Sequence, residues 1–153
     1  TGVTNVTTKT NLSEKSLYFN GSSYLKIDMS DLNYDFNADW TWEWWDYYIN
    51  NTNKSGTLCV TDGSYGLLAG TPTNNNIRIY AREYIDVSTI GTYNNTKFVH
   101  RAICKKGNKV YAFENGIKTL EYGVSGEYNH SNILYIGYRG HPDNVGFFKV
   151  YMD

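Results

Sequence analysis

Hydrophobic and polar residues alternate along this chain in short runs, and no segment carries an apolar stripe at helical spacing. Runs rich in β-branched and aromatic residues are separated by clusters of Gly, Asn, Asp and Ser, which is typical of antiparallel strands joined by turns. The pattern predicts strands over Ser16–Phe19, Tyr24–Ile27, Trp40–Ile49, Thr57–Thr61, Ile77–Tyr84, Phe98–Cys104, Lys109–Phe113, Ile117–Glu121, Ile133–Tyr138 and Phe147–Met152. Many strands at a spacing of roughly 8–12 residues indicate an all-β sandwich or barrel.

Two turns are predicted by their residues. Lys106-Gly107-Asn108 separates two strand runs, and Asn115-Gly116 separates the next two. Asn-Gly adopts the two positive φ angles that a type I′ hairpin turn requires. We therefore expect three consecutive antiparallel strands in this part of the chain.

The length of 153 residues suits one domain, with residues 1–15 as an N-terminal strand or extension. An aromatic content of 16% argues against disorder, and a formal net charge of −1 argues against a nucleic-acid-binding domain. No run of about 18 apolar residues is present, so no membrane insertion is predicted.

The two cysteines, Cys59 and Cys104, both lie in apolar strand-like runs. Two buried free thiols behaving as small hydrophobic residues are one reading. A single disulfide is the other, because sequence does not show whether the two Cα atoms approach within ~7 Å.

Several segments, in order, resemble the laminin G-like branch of the concanavalin A-like lectin and glucanase jelly rolls. The segments that carry the resemblance are Leu17-Tyr18-Phe19-Asn20-Gly21, Ser23–Ile27, Trp40-Thr41-Trp42-Glu43-Trp44-Trp45, Phe98–Ile103, Glu114-Asn115-Gly116, Leu134-Tyr135-Ile136-Gly137 and Gly146–Tyr151. The chain departs from the family pattern at Phe98, where a Trp is usual, and at Arg101, where an aliphatic residue is usual.

The resemblance implies an antiparallel two-sheet β-sandwich of the jelly-roll type and a binding domain more often than an enzyme. It also implies a possible structural Ca²⁺ at a rim of loops, for which Asp62 and Asp143 are candidates; ordinary solvated loops are the alternative. No other cofactor is expected.

Alternation along each strand predicts which side chains face the core. Trp40, Trp42 and Trp44 should point inward, since large aromatic side chains gain most from burial. The same rule sends Ile77, Ile79 and Ala81 inward. In the strand Phe98–Cys104 it sends the set Phe98, His100, Ala102 and Cys104 inward.

The outward sets together predict a ligand-binding face. Its members are Glu43, Trp45, Tyr47, Arg78, Tyr80, Arg82 and Arg101. If their strands share one sheet, flat aromatic rings would stack on sugar C–H faces while carboxylate and guanidinium groups hydrogen-bond the hydroxyls. The alternative is a sheet face crossed by Glu–Arg pairs and partly covered by a loop.

Catalysis finds little support, because glycoside hydrolysis needs two carboxylates flanking the bond and Glu43 has no acidic neighbour on its face of the strand. We expect a non-catalytic glycan-binding module of an extracellular bacterial protein or a phage tail protein, which could belong to a larger protein. A protein–protein adhesion or structural module of a tail fibre or surface assembly is the alternative, with the same aromatic face as its interface.

Overall fold

The computed structural model describes residues 4–6, 15–32, 34–50, 55–61, 66–71, 76–81, 85–92, 96–125, 132–137 and 149–152. Within these residues the strands are β1 (Thr4–Val6), β2 (Ser16–Asn20), β3 (Leu25–Asp28), β4 (Trp40–Asn50), β5 (Ser55–Thr61), β6 (Gly66–Thr71), β7 (Asn76–Ala81), β8 (Ile85–Thr92), β9 (Val99–Lys106), β10 (Lys109–Glu114), β11 (Ile117–Gly123), β12 (Ile133–Ile136) and β13 (Lys149–Met152). A short 3₁₀ helix spans Ser30–Leu32.

The strands form two antiparallel sheets. The seven-stranded sheet has the order β1-β2-β13-β4-β9-β10-β11, and the six-stranded sheet has the order β3-β12-β5-β6-β7-β8. This arrangement confirms the predicted two-sheet antiparallel sandwich. Two strands, β6 and β8, were not predicted, because glycine and polar residues interrupt their apolar pattern.

Apolar side chains fill the space between the sheets. From the seven-stranded sheet, Phe19, Trp44 and Ile103 are almost fully buried. Leu134 and Ile136 of β12 pack against this cluster from the six-stranded sheet. The predicted inward direction of the β4 tryptophans is confirmed, since Trp40 and Trp44 are buried and Trp42 packs against the cluster.

The predicted face assignment of the strand Phe98–Cys104 was wrong. Val99, Arg101, Ile103 and Lys105 are the buried residues of β9, whereas His100, Ala102 and Cys104 alternate with them on the outer face. The physical reason is that the β-branched side chains of Val99 and Ile103 are buried, and Arg101 between them pairs with the buried Asp46 and the partly exposed Glu114.

Both predicted turns are present. Asn115 and Gly116 have φ values of 51° and 79°, the two positive angles of a type I′ turn, and they join β10 to β11. At the β9–β10 turn Gly107 has a φ of 56°. The hairpins hold β9, β10 and β11 side by side. On its other edge β9 pairs with β4, so the outer faces of β4 and β9 are adjacent.

The segment between β3 and β4 is fixed to the end of β9. The buried Lys105 Nζ donates to the carbonyl oxygens of Asn37 (2.6 Å) and Ala38 (3.2 Å). The Gly107 amide donates to Asp39 Oδ1 at 2.7 Å. These bonds hold the segment before β4 against the β9–β10 turn.

Candidate functional site

An aromatic strip, defined here as Trp45, Tyr47, Phe98 and His100, lies on the outer face of the seven-stranded sheet. In the antiparallel pairing of β4 with β9, Trp45 stands directly opposite His100. Directly opposite residues share a face, and their side chains interact. The ring centroids of Trp45 and His100 are 4.9 Å apart, and those of Tyr47 and Phe98 are 5.7 Å apart.

Glu43 extends the aromatic strip by one polar group. It lies two residues before Trp45 on the same face of β4, and its carboxylate is 3.7 Å from His100 Nε2. The Glu43 side chain is 68% exposed, whereas that of His100 is 26% exposed. An indole ring therefore lies beside an accessible carboxylate and an imidazole, so one ligand can meet an apolar surface and hydrogen-bonding groups together.

The hairpin turn supports the strip from one side. The Asn115 amide donates to the His100 carbonyl oxygen at 2.9 Å, and the His100 amide donates to Asn115 Oδ1 at 3.1 Å. Both backbone polar groups of His100 are thus bonded to the turn that follows β10, while its ring lies beside Trp45 of β4. A preorganised surface of this kind loses little freedom when a ligand binds.

The structure brings together only part of the predicted binding set. Glu43, Trp45 and Tyr47 share one face of β4. Arg78 and Tyr80 belong to β7 in the six-stranded sheet, and Arg82 lies outside the described residues. The single groove predicted from strands assumed to be neighbours is therefore not formed.

Arg101 was also predicted on this face, and that placement was wrong. Its side chain is 2% exposed and lies between the sheets, where Nε donates to Asp46 Oδ2 at 2.8 Å and a terminal nitrogen donates to Glu114 Oε2 at 2.7 Å. Asp46 Oδ2 also accepts from Trp44 Nε1 at 2.8 Å. A guanidinium enters a sandwich core when carboxylates accept its hydrogen bonds, because an unpaired buried charge is very costly.

Burial has opposite consequences for the two members of this pair, because only for Asp46 does it set the direction of the pKa shift. Loss of solvation raises the pKa of Asp46 to about 6, even though the Arg101 charge and the hydrogen bonds from Arg101 and Trp44 act in the opposite direction. Burial alone would lower the pKa of Arg101, but the Asp46 charge raises it above its ordinary value. Arg101 therefore stays charged, and the titrating member of the pair is Asp46.

The β8 strand approaches this buried pair closely. A Cβ atom at Gly91 would meet Arg101 and the Glu114 carboxylate at impossible distances. A side chain at this position would therefore displace the ends of Arg101 and Glu114 from their present positions. The buried pair of Asp46 and Arg101 thus lies between the sheets and does not present a binding surface.

A second polar group lies on β10 and β11. Glu121 accepts from Lys109 Nζ at 2.6 Å and from Lys118 Nζ at 2.7 Å, and Lys118 Nζ lies 5.9 Å from the centroid of the Tyr111 ring. The hydrogen bonds from Lys109 and Lys118 and their charges lower the pKa of Glu121 to about 2. Lys109 and Lys118, the lysines of these two strands, therefore both pair with the Glu121 carboxylate.

Metal binding is not assigned to the described part of the chain. There, no group of three or more His, Cys, Asp or Glu residues could hold a metal ion. The acidic residues before β4 hold turns: Asp28 Oδ1 accepts from the Ser30 amide, and Asp35 Oδ1 accepts from the Asn37 amide. The Ca²⁺ candidates Asp62 and Asp143 lie outside the described residues.

The structure also bears on the two cysteines and on membrane-spanning helices. Cys104 is a free thiol, so the disulfide alternative is wrong, and burial raises the pKa of the thiol. Cys104 lies in the seven-stranded sheet and Cys59 in the six-stranded sheet. In the described residues no helix is long and apolar enough to cross a membrane.

Sequence reasoning missed His100 and Phe98 as outer-face residues and Asp46 as a buried acid. The signal for Asp46 was present, since it follows Trp40, Trp42 and Trp44 in the inward phase of β4. The signal for His100 was the β-branched pair Val99 and Ile103, which favours the opposite phase for β9.

No protein-family model matches the sequence, and no curated protein sequence matches it significantly. Solved structures do match. The chain is similar to domain 4 of AbnA, a GH43 extracellular arabinanase from Geobacillus stearothermophilus in complex with arabinotriose, with a TM-score of 0.75, 13% identity, and coverage of 100% of this chain and 73% of that one. It is similar to domains LG4-5 of the mouse laminin alpha1 chain, with a TM-score of 0.66, 11% identity, and coverage of 90% of this chain and 39% of that one.

A third match is the binding domain of botulinum neurotoxin DC in complex with SialylT, with a TM-score of 0.70, 11% identity, and coverage of 99% of this chain and 39% of that one. Trypanosoma rangeli sialidase also matches, and the chain spans 24% of that protein's length. At these identities the likeness establishes the fold alone. The chain therefore has the laminin G-like, concanavalin A-like β-sandwich fold that its motifs predicted.

Proposed function

We propose that this chain is a non-catalytic glycan-binding module whose site is the aromatic strip together with Glu43. The observation that carries the proposal is the Trp45 ring, which lies on an outer sheet face beside His100 and close to an exposed carboxylate. Sugars have apolar C–H faces and a ring of hydroxyl groups, so a flat indole flanked by hydrogen-bonding groups complements them.

The structural matches support the same class of ligand. Two of the matched structures, domain 4 of AbnA and the toxin binding domain, were solved with a bound saccharide or SialylT. The toxin domain is itself described as a binding domain, which supports a binding role over a catalytic one. Glu43 has Trp45 and Tyr47 as its neighbours on the outer face of β4, which favours contact with hydroxyl groups over acid–base chemistry requiring a second carboxylate.

The test is a glycan array probed with the chain and with Trp45→Ala. Loss of a stacking ring should weaken binding by at least ~1 kcal/mol, which is roughly fivefold or more in affinity. Tyr24→Ala is the matched control, since Tyr24 is an exposed aromatic residue near β3 of the other sheet and should leave affinity unchanged. Full affinity in Trp45→Ala, or loss of affinity in Tyr24→Ala alone, would move the site away from the strip.

Two further measurements separate the alternatives. Release of reducing sugar from a bound glycan would reveal a glycosidase and contradict the non-catalytic proposal. Binding to a protein but to no glycan would instead make the strip a protein–protein interface, which is the adhesion or structural alternative.

We also propose that the module acts outside the cell, as part of an extracellular bacterial protein or a phage tail. The similarity to a domain of an extracellular arabinanase supports this setting. Immunodetection of the parent protein in culture medium or purified virions would agree with it. Detection only in the cytoplasmic fraction would overturn it.

A further inference from the structure

The charges around the aromatic strip are distributed unevenly. At the end formed by Glu43 and Trp45, the exposed acidic side chain is that of Glu43, whose carboxylate lies 3.7 Å from His100 Nε2. Arg101, which a sequence-based model would place here as a cation, instead lies between the sheets and donates to Asp46 and Glu114. A planar guanidinium is the side chain best suited to bind a carboxylate or sulfate, and here it is directed away from the surface.

Among the lysines whose side chains the structure describes, Lys15 precedes β2 in the row of Trp44, two strands from β4 at roughly 10 Å, and the others lie as far from Trp45 or farther, or are already paired. Lys106 and Lys109 face each other at the far end of the β9–β10 hairpin, six residues along β9 from His100, which is about 20 Å at ~3.3 Å per residue. Lys118 shares the cross-strand row of Glu43 but lies three strands away, at roughly 14 Å. Lys109 and Lys118 both donate to Glu121.

One exposed lysine borders the strip at its opposite end. Lys97 precedes Phe98, next to the Tyr47–Phe98 contact. The residue opposite Glu43 in β9 is Ala102, five residues further along, so Lys97 lies about 16 Å from the Glu43 end. It therefore does not neutralise the carboxylate beside Trp45.

From this distribution we infer that the Trp45 end of the strip binds uncharged sugar rings and discriminates against carboxylated or sulfated glycans, with Glu43 as the residue that determines the specificity. This inference rests on the proposed function. The Glu43 carboxylate accepts hydrogen bonds from neighbouring sugar hydroxyls while the ring stacks on Trp45. An anionic substituent at the same place meets the Glu43 carboxylate, and the lysines whose side chains the structure describes lie roughly 10 Å or more from Trp45 in strand spacing.

The experiment is a glycan array that carries neutral, sialylated and sulfated oligosaccharides, with arabinotriose, lactose and 3′-sialyllactose among them. It is probed with the unaltered chain, Trp45→Ala, Glu43→Gln and Asp31→Asn. Asp31 is an exposed acid in the 3₁₀ helix and provides the charge-matched control. Affinities for the best neutral and the best anionic glycan are then measured by calorimetry.

The inference predicts that the glycans lost in Trp45→Ala are neutral. It also predicts that Glu43→Gln weakens neutral binding about tenfold and narrows the ratio of neutral to anionic affinity, since charged hydrogen bonds are stronger than neutral ones. Asp31→Asn should change neither. Trp45-dependent binding that prefers sialylated or sulfated glycans would overturn this inference and leave the proposed function standing. Binding that never depends on Trp45 would overturn both.

Discussion

Replacing Arg101 with methionine tests the buried ion pair directly. The Arg101 side chain is 2% exposed and that of Asp46 is 0% exposed, with 2.8 Å between Nε and Oδ2. Removing one member of a buried pair typically costs about 3–5 kcal/mol, because the remaining charge is left without compensation. Glu114 is 27% exposed and can be solvated, so most of this cost should come from Asp46.

The double variant Arg101→Met/Asp46→Leu sharpens the argument. Replacing both members of a buried pair by apolar residues is often close to neutral, so the double variant should be more stable than Arg101→Met alone. Recovery should be incomplete, because Trp44 Nε1 loses its acceptor, at a cost of about 1–3 kcal/mol. The loss in the single variant should also shrink near pH 5, where protonation neutralises Asp46.

Urea unfolding followed by circular dichroism measures these differences. Lys118→Met is the control, since the Lys118 side chain is 52% exposed and solvent-exposed ion pairs contribute little to stability. A loss in Arg101→Met as small as that of the control would refute the reasoning, because it is the value expected if Arg101 lay on the outer face of β9.

Three further predictions concern stability. Gly116→Val should destabilise by more than about 1 kcal/mol through backbone strain alone, since no atom lies within 4 Å of the added Cβ and its φ is 79°; an unchanged urea midpoint would contradict the turn. Gly137→Ala should lower the free energy of unfolding by about 2–4 kcal/mol, because φ is 80° and the new Cβ would lie 2.5 Å from the Phe19 ring. A thermal midpoint within about a degree of the parent would contradict this prediction. The raised pKa of Asp46 means that the folded state binds this proton more tightly than the unfolded state, so its stabilising contribution is full below about pH 4 and is lost as pH rises to about 6. The stability of the parent relative to Asp46→Asn should therefore fall by about 3 kcal/mol over that window, and a difference that grows with pH would have the wrong sign.

Strand alternation predicted β4 well because its residues leave little freedom. Three tryptophans at every second position can be buried only on one face, which places Glu43, Trp45 and Tyr47 on the other. The turn at Asn115-Gly116 was predicted for a similar reason, since few residue pairs adopt two positive φ angles. Where the residues allow only one local arrangement, the sequence alone predicts that arrangement.

The β9 strand shows where local reasoning fails. Arg101 is charged, and charged residues are rarely buried unless they are paired. Its partner Asp46 lies 55 residues earlier in the chain, and the residues next to Arg101 in the sequence do not indicate that contact. Placing Phe98, Ala102 and Cys104 inward reversed the phase of the whole strand, which sent Arg101 outward and left His100 out of the predicted site.

The predicted set of site residues was divided for a topological reason. Arg78 and Tyr80 alternate as expected of a surface strand, but β7 pairs with β6 and β8 in the six-stranded sheet. Which sheet a strand joins depends on pairings between distant segments, and single-strand alternation contains no information about them. The described site is therefore assembled from β4 and β9 alone.

The indole N–H signals of the four tryptophans provide the most direct test of the glycan-binding site. Trp45 lies on the outer face, whereas Trp40 and Trp44 are buried and Trp42 packs against the core, so three signals act as internal controls. Titration of the labelled chain with the best glycan from the array, followed by NMR, should shift the Trp45 indole signal and leave the other three nearly unchanged. Saturable binding with an unmoved Trp45 signal would contradict the claim that the aromatic strip is the glycan site.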